Sequence, residues 1–431
     1  MSWSRWQPSK AQPWDHRRIT HLWRRAGFAP DWGMIQNGLR EGFEPTLERV
    51  LHPDSSTVEA FEELSQTIGE AAVGAESADR LRAWWIFRMI VTPYPLQERM
   101  TLLWHNHFAT SNDKVNDIAA MYEQNQLLRE HSLGPFGPLL HAVIKHPAML
   151  KWLDAESNRK AHPNENLARE LLELFTLGEG HYSERDVTEA ARCLTGWTVH
   201  SRKFLFHQET HDAGSKHLLG ATGRFNGDQL LDLLLLKPST AWRIAWRLCR
   251  MFFGENVLDE PEIDSLAELL IHNQLNVGLA VETILRSERF YADENIGCRV
   301  ASPAEYMIGT VRALELGNRP PSTLLLAERF HEQGQDLFHP PTVFGWEEGR
   351  QWINTRTILA RQAFAHDLVG GALYQARRPF DTALLPARHG FETAGQFYSR
   401  LFSRVRPRST HDGASAETLV RLICDTENQL V

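Results

Sequence analysis

The chain has 431 residues, 42% hydrophobic and 10% aromatic, and its 46 Lys plus Arg against 54 Asp plus Glu give a formal charge of −8. With 14 Trp and 21 Phe it holds more apolar surface than a solvated chain carries, which excludes general disorder. The negative balance makes nucleic-acid binding through overall charge unlikely on physical grounds, and the longest apolar run, broken around Leu230 to Leu236, falls well short of the roughly 18 residues of a membrane span.

In chain order, Met1 to Asp15 is polar and rich in Trp and Pro, without the apolar stretch of a Sec or twin-arginine leader, so the expected compartment is the cytoplasm. Arg80 to Val91 reads as about three apolar turns, and Pro93 and Pro95 open a second helix on which Leu96, Met100, Leu103 and His107 share one face. A third helix is predicted from Pro163 to Leu177, with Gly178 as a left-handed cap. Ser183 with Asp186 resembles a capping box opening a fourth. Val199 to Asp228 is rich in His, Gly and Lys and reads as a functional loop, with Phe204-Leu205-Phe206 as a short strand of a hairpin. Glu262 to Phe290 and Pro303 to Leu316 have helical character again.

The expectation is therefore a mainly α protein, one large multi-helix domain with a long His/Gly-rich loop and a short β-hairpin. Along the chain it divides into an N-terminal helical segment (1–79), a central helical region with the loop (80–228), a second helical region sharing the same core (229–402), and a polar link with a last short helix (403–431). Cys193, Cys249, Cys298 and Cys424 have no Cys-x-x-Cys spacing and read as mostly buried free thiols.

Three constellations carry chemistry. In Trp104-His105-Asn106-His107-Phe108, two histidines two apart grip one metal from a strand, but on a helix they lie about 200° apart. The periodicity favours a helix, with His107 a hydrogen-bonded core residue and His105 near the C-terminal dipole. In Pro163-Asn164-Glu165-Asn166-Leu167-Ala168-Arg169-Glu170-Leu171-Leu172-Glu173, Leu167, Leu171 and Leu174 line a buried face, beside a polar stripe of Asn166, Glu170 and Glu173. Arg169 is placed to pair with Glu165 and Glu173, leaving Glu170 without a local partner, as either a catalytic acid/base or part of an ion-pair network. His207 to Lys216, with His211, Asp212 and Lys216 around Gly214, reads as an active-site loop or a hydrogen-bonded turn. Glu328 and His331 form one isolated Glu-x-x-His, and Trp242, Arg243, Trp246, Arg247 and Arg250 form either an anion-binding stripe or a solvated helix face with the indoles inward. Gly-x-Ser-x-Gly, Walker and His-Glu-x-x-His motifs are absent.

The run from Pro163 to Gly178 resembles the hallmark of the bacterial domain of unknown function family 1800. Arg24 to Phe28, Trp104 to Phe108, His146-Pro147, Asn158 with Lys160, Asp186-Val187, Ala191-Arg192, Thr195-Gly196-Trp197, and His211-Asp212 with Lys216 match its pattern in order. Pro340-Pro341, Gly345-Trp346 and Trp352-Ile353-Asn354 complete it. The resemblance covers about residues 20 to 365. It implies relatives that are often exported and encoded beside a sulfatase- or phosphatase-like family, numbered 1501, as a partner. It also gathers the polar motifs into one pattern, which favours a site.

Two functions are expected from this reading. One is a hydrolase in which Glu170 is the acid or base, Glu165 is a further catalytic residue, Asn166 and Arg169 orient Glu170 or bind an oxyanion, and Asn158, Asn164, Arg192 and Lys216 contact substrate. In that reading His105, His107, His211 and Asp212 are ligands for a divalent metal. The other is a non-catalytic helical accessory protein in which the same residues form a buried ion-pair and cap network.

Overall fold

Most helices of this chain begin where a short polar side chain accepts one of the first free N–H groups. In the computed structural model, which describes residues 3–255, 257–402 and 415–431, Ser77 caps the helix Ala78–Val91, Asp117 caps Ile118–Glu130 and Asp259 caps Glu260–His272. The helix Pro95–His107 starts on proline instead, where no donor is needed. The capping box of Ser183 and Asp186 is formed as expected, and opens the helix Glu184–Leu194.

The architecture is mainly helical, and buried apolar side chains from Trp6 to Val431 form one cluster. Trp84, Trp85 and Trp104 lie in it almost without exposure. Burying such rings removes large apolar areas from water and is the main stabilising term. Within the cluster Glu98 is fully buried and accepts from Trp85 Nε1 at 2.9 Å, Arg88 Nε at 2.9 Å and Arg129 Nε at 2.6 Å. One carboxylate thus ties together the helices Ala78–Val91, Pro95–His107 and Ile118–Glu130. Burial pushes its pKa up, but Arg129 and Arg88 outweigh that and lower it to about 2.

The hallmark segment departs from the expected single helix. Pro163 to Glu165 stays outside the helix, because Asn158 Oδ1 accepts from Asn164 N at 3.0 Å and Asn164 Oδ1 from Asn166 N at 2.9 Å. Such side-chain bonds compete with helix formation. The α-helix covers only Asn166–Glu170, and a π-helix, Leu171–Thr176, follows. Gly178 does adopt the left-handed conformation, at φ +83°. Leu167, Leu171 and Leu174 are buried as expected.

The loop after residue 199 contains two antiparallel hairpins rather than one. Strand β1 (Trp197–His200) pairs with β2 (Lys203–Phe206), Val199 facing Phe204, and β3 (Lys216–Leu218) pairs with β4 (Ala221–Gly223). The first two-residue turn places Ser201 and Arg202 at φ +50° and +58°, the geometry that matches strand twist. Glu262 to Phe290, expected as one helical stretch, breaks into the helices Glu260–His272, Val277–Arg286 and Glu288–Tyr291. Asn276 and Ser287 supply new caps at the breaks. Pro303–Ala313 is a helix with its own capping box, Ser302 with Glu305.

All four cysteines are free, but only Cys193 and Cys249 are buried, Cys298 being exposed and Cys424 intermediate. The polar link expected from Ser403 lies outside the described residues up to 414, and the last α-helix is Ala416–Cys424. Among the described residues no helix is long and apolar enough to cross a membrane.

Candidate functional site

The helix Pro95–His107 runs through both histidines of the His-Asn-His segment, so they cannot grip one metal as strand neighbours would. His105 sits between the rings of Trp85, Phe338 and Trp346, with centroids 5.1, 5.5 and 5.3 Å away, and neither ring nitrogen has a hydrogen-bond partner among the described residues. Burial, with a smaller contribution from His339, lowers its pKa to about 3. It is neutral, and the expected role at the helix dipole is not available to it. His107 is buried too, and burial holds it well below the usual histidine range. Its Nε2 lies 3.1 Å from Phe175 O, which makes Nε2 the protonated nitrogen and the residue a hydrogen-bonded core group, as the periodicity predicts.

That bond falls at the end of the π-helix, where the last carbonyls have no intrahelical donor, and side chains serve its carbonyls. His107 donates to Phe175 O, Arg243 Nε to Leu174 O at 3.3 Å, and Thr176 Oγ1 to Leu171 O at 2.6 Å.

The hallmark residues form a hydrogen-bonded network. Asn158, buried, donates to Ala191 O at 2.9 Å and accepts from Asn164 N, while its carbonyl accepts from Gly196 N at 3.2 Å. A Cβ at Gly196 would come within 2.6 Å of His207 O, so the close approach needs glycine. Asn164 Nδ2 donates to Ser157 Oγ at 2.6 Å, and Asn166 Nδ2 to Asp154 at 3.1 Å. Glu165 accepts from Thr188 Oγ1 at 2.8 Å and from Arg169 at 3.3 Å.

Arg169 does not pair with Glu173 as expected. It forks onto both oxygens of Glu184 at 2.9 and 2.8 Å, a bidentate geometry stronger than a single contact along one helix. Glu173 instead accepts from Tyr182 Oη at 2.7 Å. Glu170 alone keeps the expected isolation. It has no hydrogen bond or ion pair among the described residues, is half-buried, and has its pKa raised by burial and then by Glu173.

The third segment is tied to the helix Glu184–Leu194. Arg192 donates to Asp212 at 2.7 Å and to Glu189 at 2.7 Å, and the first of these bonds lowers the Asp212 pKa. His211 Nδ1 lies 2.9 Å from Thr195 O. Lys216, buried, donates to Asp212 O at 2.5 Å and Gly214 O at 3.3 Å.

The second and third segments are joined indirectly, by the stretch before Pro163: Lys160 N donates to Thr210 O at 2.9 Å, and Asn158, which holds Asn164 N, accepts from Gly196 N. The histidines of the first are sealed in the core. Among the described residues no three His, Cys, Asp or Glu side chains could hold a metal ion, so His105, His107, His211 and Asp212 do not make the expected cation site.

Between the two histidines, Asn106 faces elsewhere. Its Oδ1 accepts from Trp346 N at 2.6 Å and its Nδ2 donates to Glu348 at 3.0 Å, on the wall of a cleft of about 100 Å³. Arg247 and Arg250 reach the same carboxylate at 3.0 and 3.2 Å and lie over the Trp246 ring with Arg243, at 5.7, 5.0 and 5.2 Å. The expected solvated face is thus mostly covered, Arg247 being buried and Arg243 and Arg250 half-buried, and Trp246 packs against the arginines. The i, i+4, i+7 arginines were the sequence signal for this cleft, while Arg99, Arg299 and Glu305, which also line it, gave none. His331 of the isolated Glu-x-x-His lies 2.9 Å from Asp336, and among the described residues it makes no pair with Glu328.

Residues 21–429 match the family described as protein of unknown function, DUF1800. Neither a curated protein nor a solved structure matches the chain.

Proposed function

The chain belongs to the DUF1800 family, and we propose that it is a non-catalytic helical accessory protein whose hallmark residues hold its surface segments in place. The observation that carries this reading is the engagement of those residues with one another. Asn158, Asn164, Glu165, Asn166, Arg169, Arg192, His211, Asp212 and Lys216 all spend polar atoms inside the protein. An active site needs groups directed at a substrate. The partner proposed for it is the sulfatase- or phosphatase-like protein of family 1501, and co-purification of the two chains tests that pairing.

One observation favours a second reading, a metal-free hydrolase. Glu170 is unpartnered and half-buried with a raised pKa, the state of a general acid. A screen with chromogenic phosphate, sulfate, carboxylate and glycosyl esters, run on the wild type and on Glu170→Gln, separates the two. The accessory reading predicts no turnover above the blank for either, with melting temperatures within a few degrees. Turnover in the wild type that Glu170→Gln abolishes while remaining folded would establish the hydrolase instead.

A further inference from the structure

The cleft beside Asn106 opens onto an imbalance of buried charge. Glu305 is fully buried, and Arg99 donates to its Oε1 at 2.6 Å while Arg299 contacts the same oxygen. Arg24, Arg25 and Arg361, all buried, also feel this carboxylate. Among the described residues these three make no ion pair of their own and rest on neutral acceptors. Arg24 donates to Asn428, Arg25 to Asn295 O, and Arg361 to Gln429 and Ala301 O.

Two guanidiniums, of Arg99 and Arg299, thus touch the one carboxylate, and three more buried ones stand behind the cleft within its field. The Nε of each, with Nη1 of Arg25, has no hydrogen-bond partner among the described residues. Burial lowers the pKa of Arg24 and Arg361 to about 10, and burial with Arg299 lowers that of Arg25 to about 9, so all remain charged at neutral pH. Unpaired buried charge is strongly destabilising, and a counter-anion offsets it.

We propose that this cleft binds a small tetrahedral oxyanion of the phosphate or sulfate type, held by Arg99, Arg247, Arg250 and Arg299. These four line it from three segments, Arg247 and Arg250 from the one helix Pro238–Phe252 and Arg99 and Arg299 from two others, so their donors converge from three directions. Planar guanidinium forks match the oxygens of such an anion bidentately. Arg247 has an unpartnered buried Nε of its own. Glu348, which engages Arg247 and Arg250, is the internal counterion that the ligand displaces, while Glu255 keeps a longer contact of 3.7 Å to Arg250 at the rim. At about 100 Å³ the space is several times what one water needs, enough for a head group. Exposed Glu255 and Glu347 at its edge repel an extended polyanion. The proposal is independent of the accessory reading.

Calorimetric titration with inorganic phosphate and with sodium sulfate, against sodium chloride at matched ionic strength, tests it. The variants are Arg250→Met and Glu348→Gln, at half-buried positions, with folding checked by circular dichroism. Saturable one-site binding of either oxyanion is expected, weakened at least about tenfold in Arg250→Met, as loss of a charge-assisted bond predicts. Glu348→Gln should bind more tightly than the wild type. Heats no different from chloride, or binding that Arg250→Met leaves unchanged, overturn the proposal, and weaker binding in Glu348→Gln overturns the role given to Glu348.

Discussion

A buried neutral histidine links folding to pH. His105, His107 and His146 all have pKa values lowered chiefly by burial, His105 to about 3 and His146 to about 4. In the unfolded chain they titrate near the ordinary value of about 6.5. Their folded values are depressed, so unfolding takes up protons below that point. The stability they support is present above pH 6.5 and falls as pH drops towards 4. Each such proton steepens the fall by about 1.4 kcal/mol per pH unit. Urea unfolding measured across this window should show the slope, and His105→Leu should flatten it by about one proton; an unchanged slope would mean that His105 is not held neutral. The role of His107 was legible, since the spacing from Leu96 to His107 marks a buried helix face. The surroundings of His105 were not, because Phe338 and Trp346 come from far along the chain.

At the scale of elements, the π-helix Leu171–Thr176 depends on donors from other helices. His107→Phe keeps an aromatic ring but leaves Phe175 O without its donor, and should destabilise by about 1–3 kcal/mol. Faster amide exchange confined to residues 171–178 would accompany the loss. A stability within error of the wild type would show that the carbonyl needs no partner. Here sequence reading reached the element but not its form. The leucine spacing predicts a helix, whereas the wider turn leaves no mark in that spacing and the donors to its last carbonyls, His107 and Arg243, come from distant helices. In the same way Phe204-Leu205-Phe206 announced one hairpin, while Lys216–Leu218 and Ala221–Gly223 are too short to show a period. The helix start was misplaced because Asn158 and Asn164 capture backbone N–H groups that a helix would use.

Across the whole molecule, polar groups in this chain serve long-range ties. Glu98 joins three helices, Asn158 joins the hallmark turn to Ala191 and Gly196, and Arg192 holds the His211–Lys216 loop. The mainly helical class was legible from periodicity, whereas the resemblance grouped polar motifs of which the His-Asn-His histidines are sealed in the core. The arginine cleft was visible only through Arg243, Arg247 and Arg250, because Glu348 and Glu305 reach it through tertiary packing. Chemical denaturation of Asn158→Ala beside Glu170→Gln tests the central claim, that the hallmark residues maintain structure. Asn158→Ala leaves Ala191 O and Asn164 N without their partner and should lose roughly 2–3 kcal/mol, while Glu170→Gln, breaking no bond, should stay within about 0.5 kcal/mol. A stable Asn158→Ala together with a strongly destabilised Glu170→Gln would contradict the account.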